Sequence, residues 1–257
     1  MRSKAILMVA GLTFAAGCAG TRYMTEPDVP IYGVLGQEKV TEASIKEALA
    51  TKPQFSWPAK LAVAEIGRSE LDGLTYRDRT ILAEGLAPVS ATDEKLWNER
   101  LRKDHPDIGA AVALPSLLVP ASEDPMILRL RQAAAKVHAD LLLVYMRESD
   151  WGERPNPASI AYLTILGLWI SPGNDLEGCT VAKGILFDVR NGFVYGVVAG
   201  DAETRATVPA VYAEGTREKM RKRTRAESLT DLMDETSGLV GDLKARLLAD
   251  LSRQAGN

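Results

Sequence analysis

The chain has 257 residues, with 31 Lys and Arg against 34 Asp and Glu, a formal charge of −3. That length supports one large domain or two small ones, and the near-neutral, slightly acidic balance argues against a nucleic-acid binder. Two cysteines exclude a disulfide-stapled fold, and no apolar run approaches the roughly 20 residues a membrane-crossing helix needs.

Arg2 and Lys4 give the chain a positive start, Ala5–Phe14 is mostly apolar, and Ala15-Ala16-Gly17 supplies small residues against Cys18. This order reads as a secretory signal peptide, and the apolar run is too short to span a bilayer. The Ala-Ala-Gly-Cys ending resembles the lipobox of bacterial lipoproteins. The resemblance implies cleavage before Cys18 and acylation of its thiol; the alternative is an ordinary signal peptide that happens to end near a cysteine. Loss of Arg2 and Lys4 on cleavage takes the charge from −3 to −5. Three acyl chains, as the family carries, imply stable attachment, where one chain holds only marginally. Ala19 after the cysteine implies the outer membrane, periplasmic face. The expected division is 1–17 signal peptide, 18–35 lipidated tether and 36–257 one α/β domain.

Residues 19–35, with Pro27 and Pro30, show no period and read as the tether. Thr41–Ala50 reads as a short helix capped by Thr41, with Ile45 and Leu49 four apart. Lys60–Ile66 reads as the first core strand. Glu65 near its end is either a solvated terminal carboxylate or a functional one. Leu71–Val89 has no clean period. Thr92–Lys103 reads as a helix capped by Thr92, with Asp93 and Glu94 in the first turn and Trp97 and Leu101 on one face.

Ile108–Val119 contains Pro115 and reads as an edge strand or one broken there. A stronger helix is expected from Ser122, as its cap, through His138, with Ile127, Leu130, Ala134 and Val137 as the apolar stripe. Leu141–Tyr145 is a continuous apolar run, the type found in a strand covered on both faces, and the crossover predicts that it lies parallel to the first strand. Trp151–Pro157 reads as a loop.

Ala158–Ile170 is the most apolar segment after the signal. Two readings stand: a buried strand or core helix, or a surface segment that dips into lipid or meets a partner. On the second reading Ile160, Tyr162, Leu163, Leu166 and Trp169 form the interface, with Trp151 and Trp169 as anchors. Cys179–Gly200 reads as a β-hairpin, because Asn191-Gly192 suits a two-residue type I′ turn. That turn opposes Val189 with Val194 and puts Ile185, Phe187, Val189, Val194 and Val198 on one face.

Arg217, Lys219, Arg221, Lys222, Arg223 and Arg225 cluster in a short stretch, either a solvated face or a contact for anionic lipid. Glu227–Arg253 reads as a long amphipathic helix, its stripe running from Leu229, Leu232 and Met233 to Leu251. The fold class expected is therefore α/β: a single mixed sheet with crossover helices, a hairpin at 179–200 and a long C-terminal amphipathic helix.

His105 and His138 stand apart, without companions at metal-ligand spacing, so neither a metal site nor a cofactor is expected. No nucleophile elbow, phosphate-binding loop or dinucleotide fingerprint is present. Cys179 paired with His138 would need an arrangement nothing in the spacing predicts. The order strand, crossover helix, buried strand, hairpin and terminal helix behind a lipobox looks like the curli secretion-channel and penicillin-binding-protein activator lipoproteins. The text Phe187–Gly196 is also similar to that of the rhombotarget lipoproteins. The anchor, the absence of a catalytic constellation and two unspent surfaces, Ala158–Ile170 and Arg217–Arg225, point to a binding or assembly accessory factor of the envelope. It would meet the bilayer through Cys18 and an envelope protein by its surface, with oligomer formation left open. The alternative is a tethered envelope hydrolase whose acids come from separate loops.

Overall fold

The computed structural model describes residues 41–55, 57–68, 84–87, 89–106 and 108–255. The signal peptide, Cys18, the tether and most of Leu71–Val89 lie outside the described residues. The elements, in chain order, are α1 (Glu42–Ala50), β1 (Leu61–Arg68), β2 (Glu84–Ala87), α2 (Ala91–Asp104) and β3 (Ala111–Ala113), then α3 (Met126–Lys136) and β4 (Leu141–Pro155). After these come α4 (Ile165–Ile170), β5 (Asn174–Asp188), β6 (Val194–Val208) and α5 (Ala213–Ala255).

Among the described residues the strands form one mixed sheet, in the order β2-β1-β4-β5-β6 with β3 also beside β1. β1 pairs in parallel with β3 through Leu61–Val63 and antiparallel with β2 through Glu65–Arg68, so two short strands share its outer edge. On the other side Leu61–Ile66 runs parallel to Leu141–Met146 of β4. This is the expected crossover arrangement. The chain steps outward from β1 to β3 and then back across it to β4. Opposite steps of right-handed crossovers put α2 and α3 on opposite faces.

That double cover explains the unbroken apolar runs in β1 and β4. On one face Leu130, Ala133 and Ala134 of α3 join Ala62, Ile66, Leu142, Val144, Met146 and Ile185 in one core cluster. On the other, Trp97 and Leu101 of α2 and Leu229, Leu232, Met233 and Val240 of α5 join Leu61, Val63, Leu143, Tyr145 and Leu186. Thr41 caps α1 as expected, accepting from the Ser44 amide at 3.1 Å, but Ile45 and Leu49 are both exposed.

Several local expectations give way. Ser90, not Thr92, caps α2, accepting from the Asp93 amide at 3.0 Å. Ser122 bonds the Asp124 carboxylate instead of capping α3, which starts behind Pro125. Trp151–Pro155 is strand, not loop: β4, β5 and β6 pair along their whole lengths and run beyond β1 as a three-stranded ribbon. Ala213 and Met220 of α5 cover one face of that ribbon, packed with Leu176, Trp151, Ala206 and Val208. α5 thus begins well before Glu227 and absorbs the basic stretch. At Gly200 the helix touches the strand, where an added Cβ would sit 2.3 Å from the Leu232 amide nitrogen.

The hairpin is present with a different turn. Gly192 is left-handed (φ 77°) and Asn191 is not, so no type I′ turn forms. Instead Gly192 and Arg190 donate backbone N–H groups to the carbonyl and side chain of Asp188. Pairing resumes at Phe187 with Val194, a bulge follows, and Ile185 faces Val197 rather than Val198. One residue of slip sends a strand's side chains to the opposite face. Val198 accordingly packs with the α5 side, while Ile185, Phe187 and Val189 pack with α3.

Candidate functional site

The segment joining β4 to β5 is built to hold itself together from inside. Asn156 accepts from the Ala158 amide at 2.9 Å and donates to the Pro172 carbonyl at 2.8 Å, clamping both ends. Between them runs a 3₁₀ turn (Pro157–Leu163), then α4. Thr164 joins the two, donating to the Ala161 carbonyl and accepting from the Gly167 amide, and Ser171 donates to the Ala158 carbonyl. The Tyr162 hydroxyl accepts from the Gly173 amide at 2.9 Å, which leaves that ring half-buried.

With the backbone satisfied locally, the apolar side chains turn outward. Ile160, Leu163, Ile165, Leu166, Trp169 and Ile170 are 55–89% exposed. This overturns the core reading of Ala158–Ile170, because no helix or sheet face among the described residues covers the segment. Behind it the Trp169 ring meets Tyr212 edge-on at 6.4 Å, and Val211 and Tyr212 are also exposed. No residue between Asn156 and Asn174 is charged, whereas Glu153, Arg154, Asp175 and Arg217 follow directly behind. The end of the ribbon is therefore an apolar apex, then an aromatic pair, then a collar of charge.

The basic stretch has a different character. Its six cations lie on more than two turns of α5 and point around the helix. Arg217 pairs with Glu153 and Glu214, Arg221 and Lys222 with Glu218, Arg223 with Glu227, and Arg225 reaches Glu65 at 3.6 Å. Arg217 and Arg221 line a groove of about 570 Å³ beside Trp151, Glu153 and Glu214, where acids and bases alternate.

Glu65 is the titratable centre that the sequence reading misplaced. It is 2% exposed, not solvated, because Tyr145 and Arg147 of β4 and Arg225 of α5 close around its carboxylate. Arg147 donates to it twice, at 2.8 and 2.6 Å, and the Tyr145 hydroxyl donates at 3.1 Å. Burial opposes the Arg147 charge, but the Glu65 hydrogen bonds and field prevail and raise its pKa. Burial, with the Glu65 charge, holds the Tyr145 phenol neutral far above its usual range. Every group here has its partner, so the cluster reads as a clamp between strands. The signal available in sequence was Arg147, a cation directly after the apolar run Leu141–Met146.

At the opposite end of the sheet from the apex, the fully buried Asp188 carboxylate accepts from the Gln54 and Phe55 amides at 2.8 and 3.1 Å and from the Tyr195 hydroxyl at 2.7 Å. Asn191 also donates to the Lys52 carbonyl. The N-terminal part of the domain is thus fastened far from the apex. Cys179 is buried in the α3-side core, and the His105 ring contacts the Ser237 carbonyl at 2.8 Å. Among the described residues no group of three His, Cys, Asp or Glu side chains is placed to hold a metal ion.

No protein-family model matches the chain, and no curated protein does. Among solved structures it is similar to a single-substitution form of the PelC dodecamer from Paraburkholderia phytofirmans, at 15% identity over 74% of this chain and 94% of that one, with a TM-score of 0.32. The hypothetical protein CT253 from Chlamydia trachomatis matches at 11% identity over 72% and 99%, TM-score 0.35. Lipoprotein GNA1162 from Neisseria meningitidis matches at 14% identity over 64% and 99%, TM-score 0.26. Likenesses this distant carry no argument about function, so the reading rests on the geometry of the chain itself.

Proposed function

We propose that this protein is a lipid-anchored accessory factor of the cell envelope that acts by docking, not by catalysis. Cys18 carries the anchor, the outer membrane's periplasmic face is the location, and the apolar apex at 157–170 is the working surface. The observation that carries the reading is the exposure of Ile160, Leu163, Leu166 and Trp169 on a segment whose own polar groups are internally bonded. An exposed patch of that kind marks an interaction surface. The acylation of Cys18 is supported by the sequence that precedes it.

The test is metabolic labelling with radioactive palmitate, followed by fractionation of the envelope. Label should enter the wild-type chain and not a Cys18→Ser form, and only the wild type should sediment with outer membrane. Equal location of both forms would overturn the anchor. Unchanged function in cells of an acylated Leu163→Ser, Leu166→Ser form would overturn docking through the apex.

A further inference from the structure

We infer that the apex docks on the bilayer itself: it enters the interfacial region of a membrane as a shallow apolar wedge. The inference rests on the docking reading above and names what the surface meets. Three observations favour lipid over a protein pocket.

The first is polarity in layers. The side chains of Leu163, Ile165, Leu166 and Ile170 stand furthest out of contact with the protein, Trp169 and Tyr212 pair behind them, and charged residues begin only at Glu153, Asp175 and Arg217. A bilayer offers the same succession over its outer few ångströms: hydrocarbon, an interface that favours Trp and Tyr, then charged head groups and water. The second is distribution. The 3₁₀ turn and α4 both expose apolar side chains, so the patch is carried by two arms of the segment and not by one helix or sheet face. A fluid phase accommodates such a patch without a matching cavity. The third is backbone chemistry. Asn156, Thr164, Ser171 and Tyr162 bond the segment's turns from within, which lowers the cost of taking its backbone out of water.

The anchor permits this contact. The apex and the Asp188 end are separated by the length of β5, about 50 Å. Residues 19–40 have a contour of about 75 Å when extended. A domain held by Cys18 can therefore lay its ribbon down and bring the apex to the same membrane.

The experiment uses the full mature chain, residues 18–257, with Cys18→Ser so that no acyl chain contributes. It is floated on a density gradient with vesicles of phosphatidylcholine alone and of phosphatidylethanolamine with phosphatidylglycerol. Flotation with both is expected, together with quenching of Trp emission by brominated lipid. A Leu166→Asp, Trp169→Ser form should lose at least about tenfold in partitioning while keeping its thermal midpoint. Lys219→Gln, Lys222→Gln should float as the wild type does on phosphatidylcholine. Failure of the wild type to float, or equal flotation of the apex variant, overturns the inference. So does a dimer that forms through the apex and is broken by Leu166→Asp without any flotation, which would assign the surface to a second copy. None of these results bears on palmitate labelling of Cys18, so the anchor and the wedge fail separately.

Discussion

Glu65 and Arg147 meet across neighbouring parallel strands as a two-pronged pair, with Nη2 2.6 Å from Oε2 and Nε 2.8 Å from Oε1, and side chains 3% and 9% exposed. A buried pair is of modest net worth when intact, but a lone partner is left as an uncompensated charge. Glu65→Ala should therefore destabilise the fold by about 3–5 kcal/mol. That corresponds to a fall in Tm of about 10 °C or more. The double replacement Glu65→Leu, Arg147→Met should recover most of the loss. Thermal and urea melts decide it, and a loss below about 1 kcal/mol in the single variant would show that the pair does not act as a clamp.

The same cluster sets an alkaline limit. Tyr145 is fully buried, and its folded pKa lies well above the value near 10 of an exposed phenol. The unfolded chain thus releases this proton first. Its contribution is complete below about pH 10 and is lost above it, at about 1.4 kcal/mol per pH unit. Tyr195, raised by burial and by its hydrogen bond to Asp188, acts in the same direction. Denaturant midpoints measured between about pH 9 and pH 11.5 should fall steeply in the wild type and less steeply in Tyr145→Phe.

Two glycines on β6 and α5 should respond with opposite signs. A methyl at Gly200 would press on the backbone of α5 at Leu232 and Ser228, so Gly200→Ala should cost about 1–3 kcal/mol and speed amide exchange along both elements. Gly215 stands in the first turns of α5 with open space where a Cβ would go. Gly215→Ala should stabilise by about 0.5–1 kcal/mol, readable as a higher urea midpoint.

The apex should be thermodynamically silent for folding. Leu163→Ser and Ile165→Ser, at positions more than 80% exposed, should change stability by less than about 0.5 kcal/mol. Leu143→Ala, fully buried between β1 and β5, should cost about 2–5 kcal/mol. Similar losses at the two kinds of site would mean that the apex is packed in solution.

Much of the architecture was legible in one dimension. Leu61–Ile66 and Leu141–Met146 are apolar at every second position on both faces except at Glu65, and that pattern suits only a strand enclosed by helices. Leu229, Leu232, Met233 and Val240 recur at helical spacing, and all four are buried as the stripe required. Helix starts were less legible: Ser90 and Thr92 both offer a hydroxyl to a nearby amide, and only backbone geometry selects between them.

The sequence by itself determined which segments are apolar, in what period, and hence the mixed sheet and its long terminal helix. Tertiary structure alone decided what covers each of them. Glu65 finds Arg147 more than eighty positions away, the Asp188 loop slips the hairpin by one residue and moves Val198 across the sheet, and Ala158–Ile170 is left outside. Hydrophobicity is a property of the residue, but burial belongs to the pair of surfaces that meet, and the second surface is not written in the segment itself.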